Sequence, residues 1–535
     1  MKTNMKIINK IAIALVLGLV FTFTSCFQDL NLEPIDPNVS QTFNKDAVFA
    51  KVYASMSITG MKGADGMPDI NTEVIDEGTS SFFRMIWNLN ELPSDEALCC
   101  WIDDPGVADL NGNKWSSSNK MVAGMYARLT FNVTLCNHFL EQTEDLDDAD
   151  TARQRAEVRF IRALNYFYLM DFYGNPPFAE KVSAENPTQK SRSEMFSYIE
   201  SELLAIEPEM FDAQAAPYYR ADKVAAWLIL SRLYLNAQVY TGTARWADAA
   251  LYAKKVIDSS YTLAKPFNHL FMGDNGKHDG SAVNNAWQEI ILPIAFDGLQ
   301  TRTWGGALFL IASTRNADMG ASGTTENWAG NRARAALSKK FFPTGVIPPG
   351  ADPTDLSGAA GDDRGMLFSK DRTFEIETNR GVDFKLGLSV AKFTNLRADG
   401  GANRDGQMVD MDVPFLRKAE AYLTYAEAVL RDNAAIQGGL TAKDAVNTLR
   451  ARANATPFNI VDLDVVLDEW SREFYFEGRR RMDLIRHDRF GGSDYNWDWK
   501  GGTKAGSQFS RIYNVFPIPI SDINANDNLI QNEGY

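Results

Sequence analysis

The sequence predicts a mainly α fold: a tetratricopeptide-like helix-hairpin scaffold with a loop-rich, partly β second subdomain that carries the ligand site. Three observations lead there. The run RQRAEVRFIRALNYFYLMDFYGNPPF, Arg153 to Phe178, is apolar on nearly all sides, with Val158, Phe160, Ile161, Leu164, Phe167, Leu169, Met170 and Phe172 surrounding a single stripe of Arg155, Arg159 and Arg162. Further along, long and short helical patterns alternate with alanine at the close-approach positions. Between two of these pairs, 265–413 loses helical periodicity and gathers glycine and tryptophan.

Taken in order, Lys2, Lys6 and Lys10 precede an apolar run from Ile11 to Phe23 and then Thr24-Ser25-Cys26. This reads as a signal peptide over 1–25, too short to span a bilayer comfortably, with Cys26 as the lipid-accepting residue and Phe23 where such signals usually carry leucine. A lipidated tether over 26–40, rich in Pro and Asp, follows. The helical scaffold is expected over 41–264 and 414–535. Its first helix is Thr42–Ser57, followed by the glycine-rich stretch Gly60–Gly78; Trp87–Trp115, with Pro93, Asp103-Asp104-Pro105-Gly106 and Asn111-Gly112-Asn113, reads as a loop. Helices are predicted at Met121–Thr143, in the opening stretch up to the stop at Gly174-Asn175-Pro176-Pro177, and at Ser193–Ile206. Val224–Tyr240 pairs with Trp246–Ile257, and Pro414–Leu430 with Thr441–Ala453. The segment 265–413 is too long for a structureless loop and is expected to fold on the frame, with strand-like runs at Glu289–Phe296 and Ala307–Ala312.

Composition mostly excludes. A net charge of −15 over 535 residues argues against a nucleic-acid partner, which would need clustered Lys and Arg. Besides Cys26 there are Cys99, Cys100 and Cys136, an odd set that implies no disulfide framework. The histidines His138, His269, His278 and His487 show no zinc-binding spacing. No Gly-x-Ser-x-Gly elbow or phosphate loop is present.

The strings RFIRALNYFYLMDFYGNPPF at Arg159, EWSREFYFEGRRRMDLIRHDRF at Glu469 and FPIPISDINANDNLIQNEGY at Phe516 resemble the SusD family of outer-membrane nutrient-binding lipoproteins, from Cys26 to Tyr535. ELPSDEAL at Glu91, QEIILPI at Gln288, the TR-x-x-GG run at Thr301 and the GTT-x-x-W run at Gly323 resemble its starch-binding founder. The resemblance implies a non-catalytic, surface-exposed, lipid-anchored protein of the outer membrane. It would bind starch or maltooligosaccharides and pass them to a SusC-type TonB-dependent transporter. It also implies an arc of three aromatic rings, at Trp101, Trp304 and Trp328, with Asp76, Arg84 and Asp104 as polar partners. The founder has tyrosine at the position of Trp304 and tryptophan at that of Cys99.

Elementary chemistry suits that assignment. Indole faces complement the apolar C–H faces of sugars, and the forked donors of Arg84 and acceptor pair of Asp76 suit adjacent hydroxyls. Trp87, Trp227, Trp246 and Trp470 read as core; Asp76 and Arg84 also read as a surface ion pair. Asp410 and Asp412 share a face if Val409–Val413 is extended, and with Asp274 or Asp279 they are candidates for structural Ca²⁺, solvated carboxylates being the alternative; no cofactor is otherwise required. Three other functions remain to be weighed: a binder of another glycan, a glycoside hydrolase using two carboxylates, and a repeat scaffold for protein partners, which leaves the loop tryptophans unexplained.

Overall fold

The computed structural model describes residues 43–70, 75–378 and 383–535, so the signal peptide, Cys26 and the tether lie outside the described residues. The chain divides into two compact units, 1–48 and 49–535, the second opening inside α1 (Lys45–Ser57). Segment 265–413 falls within that second unit.

The frame is a ladder of antiparallel neighbours. α2 (Phe82–Glu91) packs on α3 (Lys120–Gln142), α3 on α4 (Ala149–Tyr173), and α4 on α5 (Arg192–Ile206). α6 (Lys223–Leu235) packs on α7 (Trp246–Ile257), α7 on α8 (Ala419–Arg431), and α8 on both α9 (Ala442–Arg452) and α10 (Leu463–Phe474). The insertion thus leaves after α7 and returns at its neighbour α8. Local sequence sets the boundaries. Asp148 caps α4 by accepting from the Thr151 amide at 2.9 Å, and Gly174, at φ 68°, closes it by donating to Met170 O. Ser191 with Glu194 and Thr441 with Asp444 form reciprocal capping boxes for α5 and α9. The arginine stripe of α4 is the seam to its neighbours: Arg159 forks onto Glu202 at 3.0 and 2.6 Å, Arg162 bonds Glu202 and Asn137, and Arg155 bonds Leu140 O.

Sheet is confined to antiparallel pairs among the described residues. β1 (Ala97–Cys99) pairs with β3 (Asn331–Ala333), in register Ala97↔Ala333 and Cys99↔Asn331, and β2 (Ile290–Ile294) pairs with β4 (Val413–Arg417). Four expectations are corrected here. Ala307–Ala312 is helical (Gly306–Ala312), Pro414–Arg417 is strand before α8 begins, Trp87 lies in α2, and the helix expected to reach Tyr240 breaks at Asn236. The first is a short apolar run buried on all sides and the second a short, mostly buried one, and periodicity cannot separate strand from helix in either.

Two buried ionic clusters fasten the C-terminal segment to the rest. In one, Arg417 reaches Glu289, Glu473 and Glu477, Arg452 reaches Glu289 and Glu473, and Arg364 reaches Asp362, Glu469 and Glu473. Burial works to raise the Glu473 pKa, but Arg452, Arg417 and Arg364 outweigh it and hold it well below the ordinary range. In the other, Arg480 forks onto Asp95 at 2.7 and 3.0 Å, Glu96 accepts from Ser471 Oγ at 2.7 Å, and Glu91 accepts from the Gly478 and Arg479 amides at 2.7 and 2.9 Å. Trp87 Nε1 and Asn90 complete the seam by donating to Phe476 O and Gly478 O.

Arg480→Ala leaves Asp95 buried without its cation and is expected to lower stability by about 3–5 kcal/mol in urea denaturation. The same change at Arg511, paired with Asp488 on the surface, should cost under about 1 kcal/mol. Equal effects would contradict this account. A second expectation concerns pH. Burial, reinforced by Glu96, pushes the Glu91 carboxyl well above its ordinary value. Its protonated form therefore contributes stability that is complete below the unfolded pKa of about 4.3 and is lost as pH rises through the folded one. Glu91→Gln mimics the protonated acid, so it should match wild type near pH 4 and be the more stable protein at pH 8, as read by denaturation at each pH.

Candidate functional site

Trp101, Trp304, Trp328, Asp76, Arg84 and Asp104 all line one open cavity of about 820 Å³. They come from both halves of the chain, so segment 265–413 supplies only Trp304 and Trp328 and does not carry the site alone. Each ring leaves a fixed piece of backbone. Trp101 follows β1, whose pairing extends through the bond from Cys100 N to Gly330 O at 3.0 Å. Its indole lies on Gly330, where a Cβ would fall 2.2 Å from Trp101 Cε2.

Trp328 is hung from the C-terminal end of helix Gly306–Ala312. Its amide donates to Ala312 O at 2.8 Å, and the Gly330 and Asn331 amides donate to Ser313 O, filling carbonyls that a helix end otherwise leaves open. Trp304 stands just before the same helix. Its amide donates to Glu77 Oε2 at 2.9 Å, its Nε1 to Ala64 O at 3.0 Å, and Gly78 leaves room for it. Trp328 is the middle ring, with centroids 6.5 Å from Trp101 and 6.4 Å from Trp304 and planes turned by 54° and 48°. The three half-buried faces therefore do not form a flat strip.

Arg84 projects from α2, 7% exposed, with its guanidinium 4.6 Å over the Phe309 ring and 6.0 Å from that of Trp101. No protein acceptor takes its Nε–H, and no carboxylate of the described residues lies within 4.0 Å. The surface ion pair with Asp76 is thus not what forms. Asp76 is exposed and accepts from the Thr79 amide at 2.7 Å, while Asp104 sits on the turn after Trp101. Burial lowers the Arg84 pKa, with Asp76 opposing it; burial raises that of Asp104, with Arg84 opposing it. The cavity thus offers three apolar ring faces, a fork of free donors and two carboxylates, all within reach of one polyhydroxylated ligand.

Sequence reasoning missed the wall made by Ala64, Gly66, Met67, Glu77 and Gly78. Glu77 lay inside the same DEG run as Asp76, but nothing local signals that its carboxylate holds an amide at position 304. The four tryptophans expected in the core divide: Trp87 and Trp470 are core, whereas Trp227 and Trp246 are half-buried braces, under Lys255 and Arg431 respectively. Cys99, Cys100 and Cys136 are free and buried.

Among the described residues no group of three or more His, Cys, Asp or Glu side chains is arranged to hold a metal ion. Asp274 is taken up by Asn284 and the Ala398 and Asp399 amides, Asp410 by Arg404, and Asp412 accepts from the Phe296 amide, with His278 beside it at 3.7 Å. Arg404 also pairs with Asp279 at 2.9 Å. No helix among the described residues is long and apolar enough to cross a membrane.

By fold the chain is a SusD-like helix-hairpin protein. A SusD-like carbohydrate-binding protein from Bacteroides fragilis superposes with TM-score 0.69 at 20% identity, covering 91% of this chain and 98% of that one. Surface glycan-binding protein A from Bacteroides thetaiotaomicron, solved with laminarihexaose, superposes with TM-score 0.64 at 17% identity over 91% and 98%. A family model described as "SusD family" matches 377–535, and one described as "Starch-binding associating with outer membrane" matches 35–235. The starch-binding protein SusD of Bacteroides thetaiotaomicron is 44% identical over 98% of both chains. The chain belongs to the SusD family.

A guanidinium buried without a partner is costly in the empty protein. Arg84→Met, similar in length and apolar, is therefore expected to stabilise the unliganded chain by about 1 kcal/mol or more in thermal or urea denaturation. A destabilised variant would mean that Arg84 serves the fold and not the cavity.

Proposed function

We propose that this chain is a non-catalytic, lipid-anchored protein of the outer-membrane surface that binds starch-derived α-glucan oligosaccharides and delivers them to a SusC-type TonB-dependent transporter. The observation that carries the reading is the cavity itself: three indole faces turned against one another around an unpaired guanidinium. Stacking needs apolar ring faces and selectivity needs donors and acceptors matched to adjacent hydroxyls; both are present. Faces turned by 54° and 48° match a curved glucan better than a flat, straight one. The 44% identity to a starch-binding SusD supports the same ligand, and the signal-like N-terminus ending at Cys26 supports the anchor. The transporter rests on family membership alone.

The test is titration calorimetry of the purified protein with maltoheptaose, with levan and cellulose oligosaccharides as controls and the sugars analysed afterwards. Saturable binding of intact maltoheptaose is expected, weakened by about 2 kcal/mol, roughly thirtyfold, in Trp328→Ala. Silence with maltoheptaose but binding of a control would reassign the glycan, and shortened products would move the protein to the hydrolases. Co-purification with a TonB-dependent transporter from the outer membrane tests the partner.

A further inference from the structure

Glu326 stands two residues before Trp328, and both of its carboxylate oxygens are engaged. Oε2 accepts the Trp328 indole N–H at 2.7 Å and Oε1 accepts from Gln407 Nε2 at 2.8 Å. No ion pair to it exists among the described residues, so a half-buried carboxylate is spent on two neutral donors. The surrounding loop is strapped to the same neighbour: Thr325 N donates to Gly406 O at 2.9 Å and Thr324 Oγ1 to Gln407 O at 2.5 Å. Trp328's amide is already held by Ala312 O, which leaves only the two side-chain torsions free. The indole–carboxylate bond fixes those.

We propose that Glu326 is a positioning residue: it locks the middle ring and thereby sets the angles among all three ring faces and the preference of the cavity for curved over straight glycans. This rests on the glycan-binding reading of the cavity. Trp328 is the ring that both others neighbour, so a turn of it changes both interplanar angles at once. With its N–H capped by Glu326, and that of Trp304 by Ala64 O, these two rings meet a ligand through their faces alone. A ring fixed before binding loses less conformational freedom when a sugar stacks on it.

The test labels the full chain with 5-fluorotryptophan, assigns the Trp328 line by Trp328→Phe, and compares wild type, Glu326→Ala and Glu326→Gln by fluorine NMR without glycan, then by titration with maltoheptaose and cellohexaose. Glu326→Ala should shift or broaden the Trp328 line, weaken maltoheptaose binding about 3- to 10-fold and narrow its advantage over cellohexaose, with the melting temperature unchanged. Glu326→Gln keeps an oxygen for the indole N–H and should restore the line and the affinity. An unmoved line in Glu326→Ala overturns the proposal, as does equal loss of affinity in Ala and Gln with the line unmoved, which would put the carboxylate on the sugar. The line is read in the empty protein, so it decides the positioning role even where failure to bind maltoheptaose sinks the glycan reading.

Discussion

The fork of Arg480 onto Asp95 is the contact on which the rest of the molecule depends. Asp95 lies two residues before β1, and Arg480 follows α10, so one bidentate pair joins segments 385 residues apart in sequence. Around it, Glu91 and Glu96 accept from the same C-terminal backbone, and Tyr495 donates to Asp95. Burial alone would push the Asp95 carboxyl upward; Arg480 outweighs that and keeps it ionised. Such a pair contributes little net stability over an apolar packing of the same shape, but removing one member strands a buried charge. Its value is register, and β1 inherits that register.

From β1 the constraint passes to the cavity. β1 pairs with β3, which places Gly330 under Trp101; the residues before Gly330 are fastened to the carbonyls ending helix Gly306–Ala312; and Trp304 immediately precedes that helix. Arg84 rests on Phe309 of the same helix. The three rings are loop residues by sequence, yet each stands within a few residues of a strand or helix terminus. A short helix, buried throughout, thereby carries two rings and a cation platform in one rigid piece.

Much of this was legible in the sequence, and what was not has physical causes. The long helices were found because one-sided or all-round apolar patterns sustained over many turns admit no other structure. Ala307–Ala312 reads as strand because six apolar residues buried on every side carry no period. The braces Trp227 and Trp246 were read as core because a ring half-covered by a lysine or arginine stem has the same local sequence as one fully enclosed. The six residues named for the ligand line one cavity, a grouping that long family strings carry; spacing alone offers no way to see that Asp76 and Trp328 share it. Glu77 and Glu326 were invisible for a related reason. Their partners are fixed by tertiary geometry, and an acidic residue in a loop looks the same whether it holds a ring or faces water.

The cavity divides its polar groups in an instructive way. The carboxylates that hold the platform, Glu77 and Glu326, are satisfied by protein donors, whereas the group left without a partner, Arg84, is the one with the most donors to offer a ligand. Platform geometry is therefore settled before any ligand arrives, and the unmet hydrogen-bonding capacity is concentrated where adjacent hydroxyls can meet it. Burial raises the Asp104 carboxyl, with Arg84 opposing it.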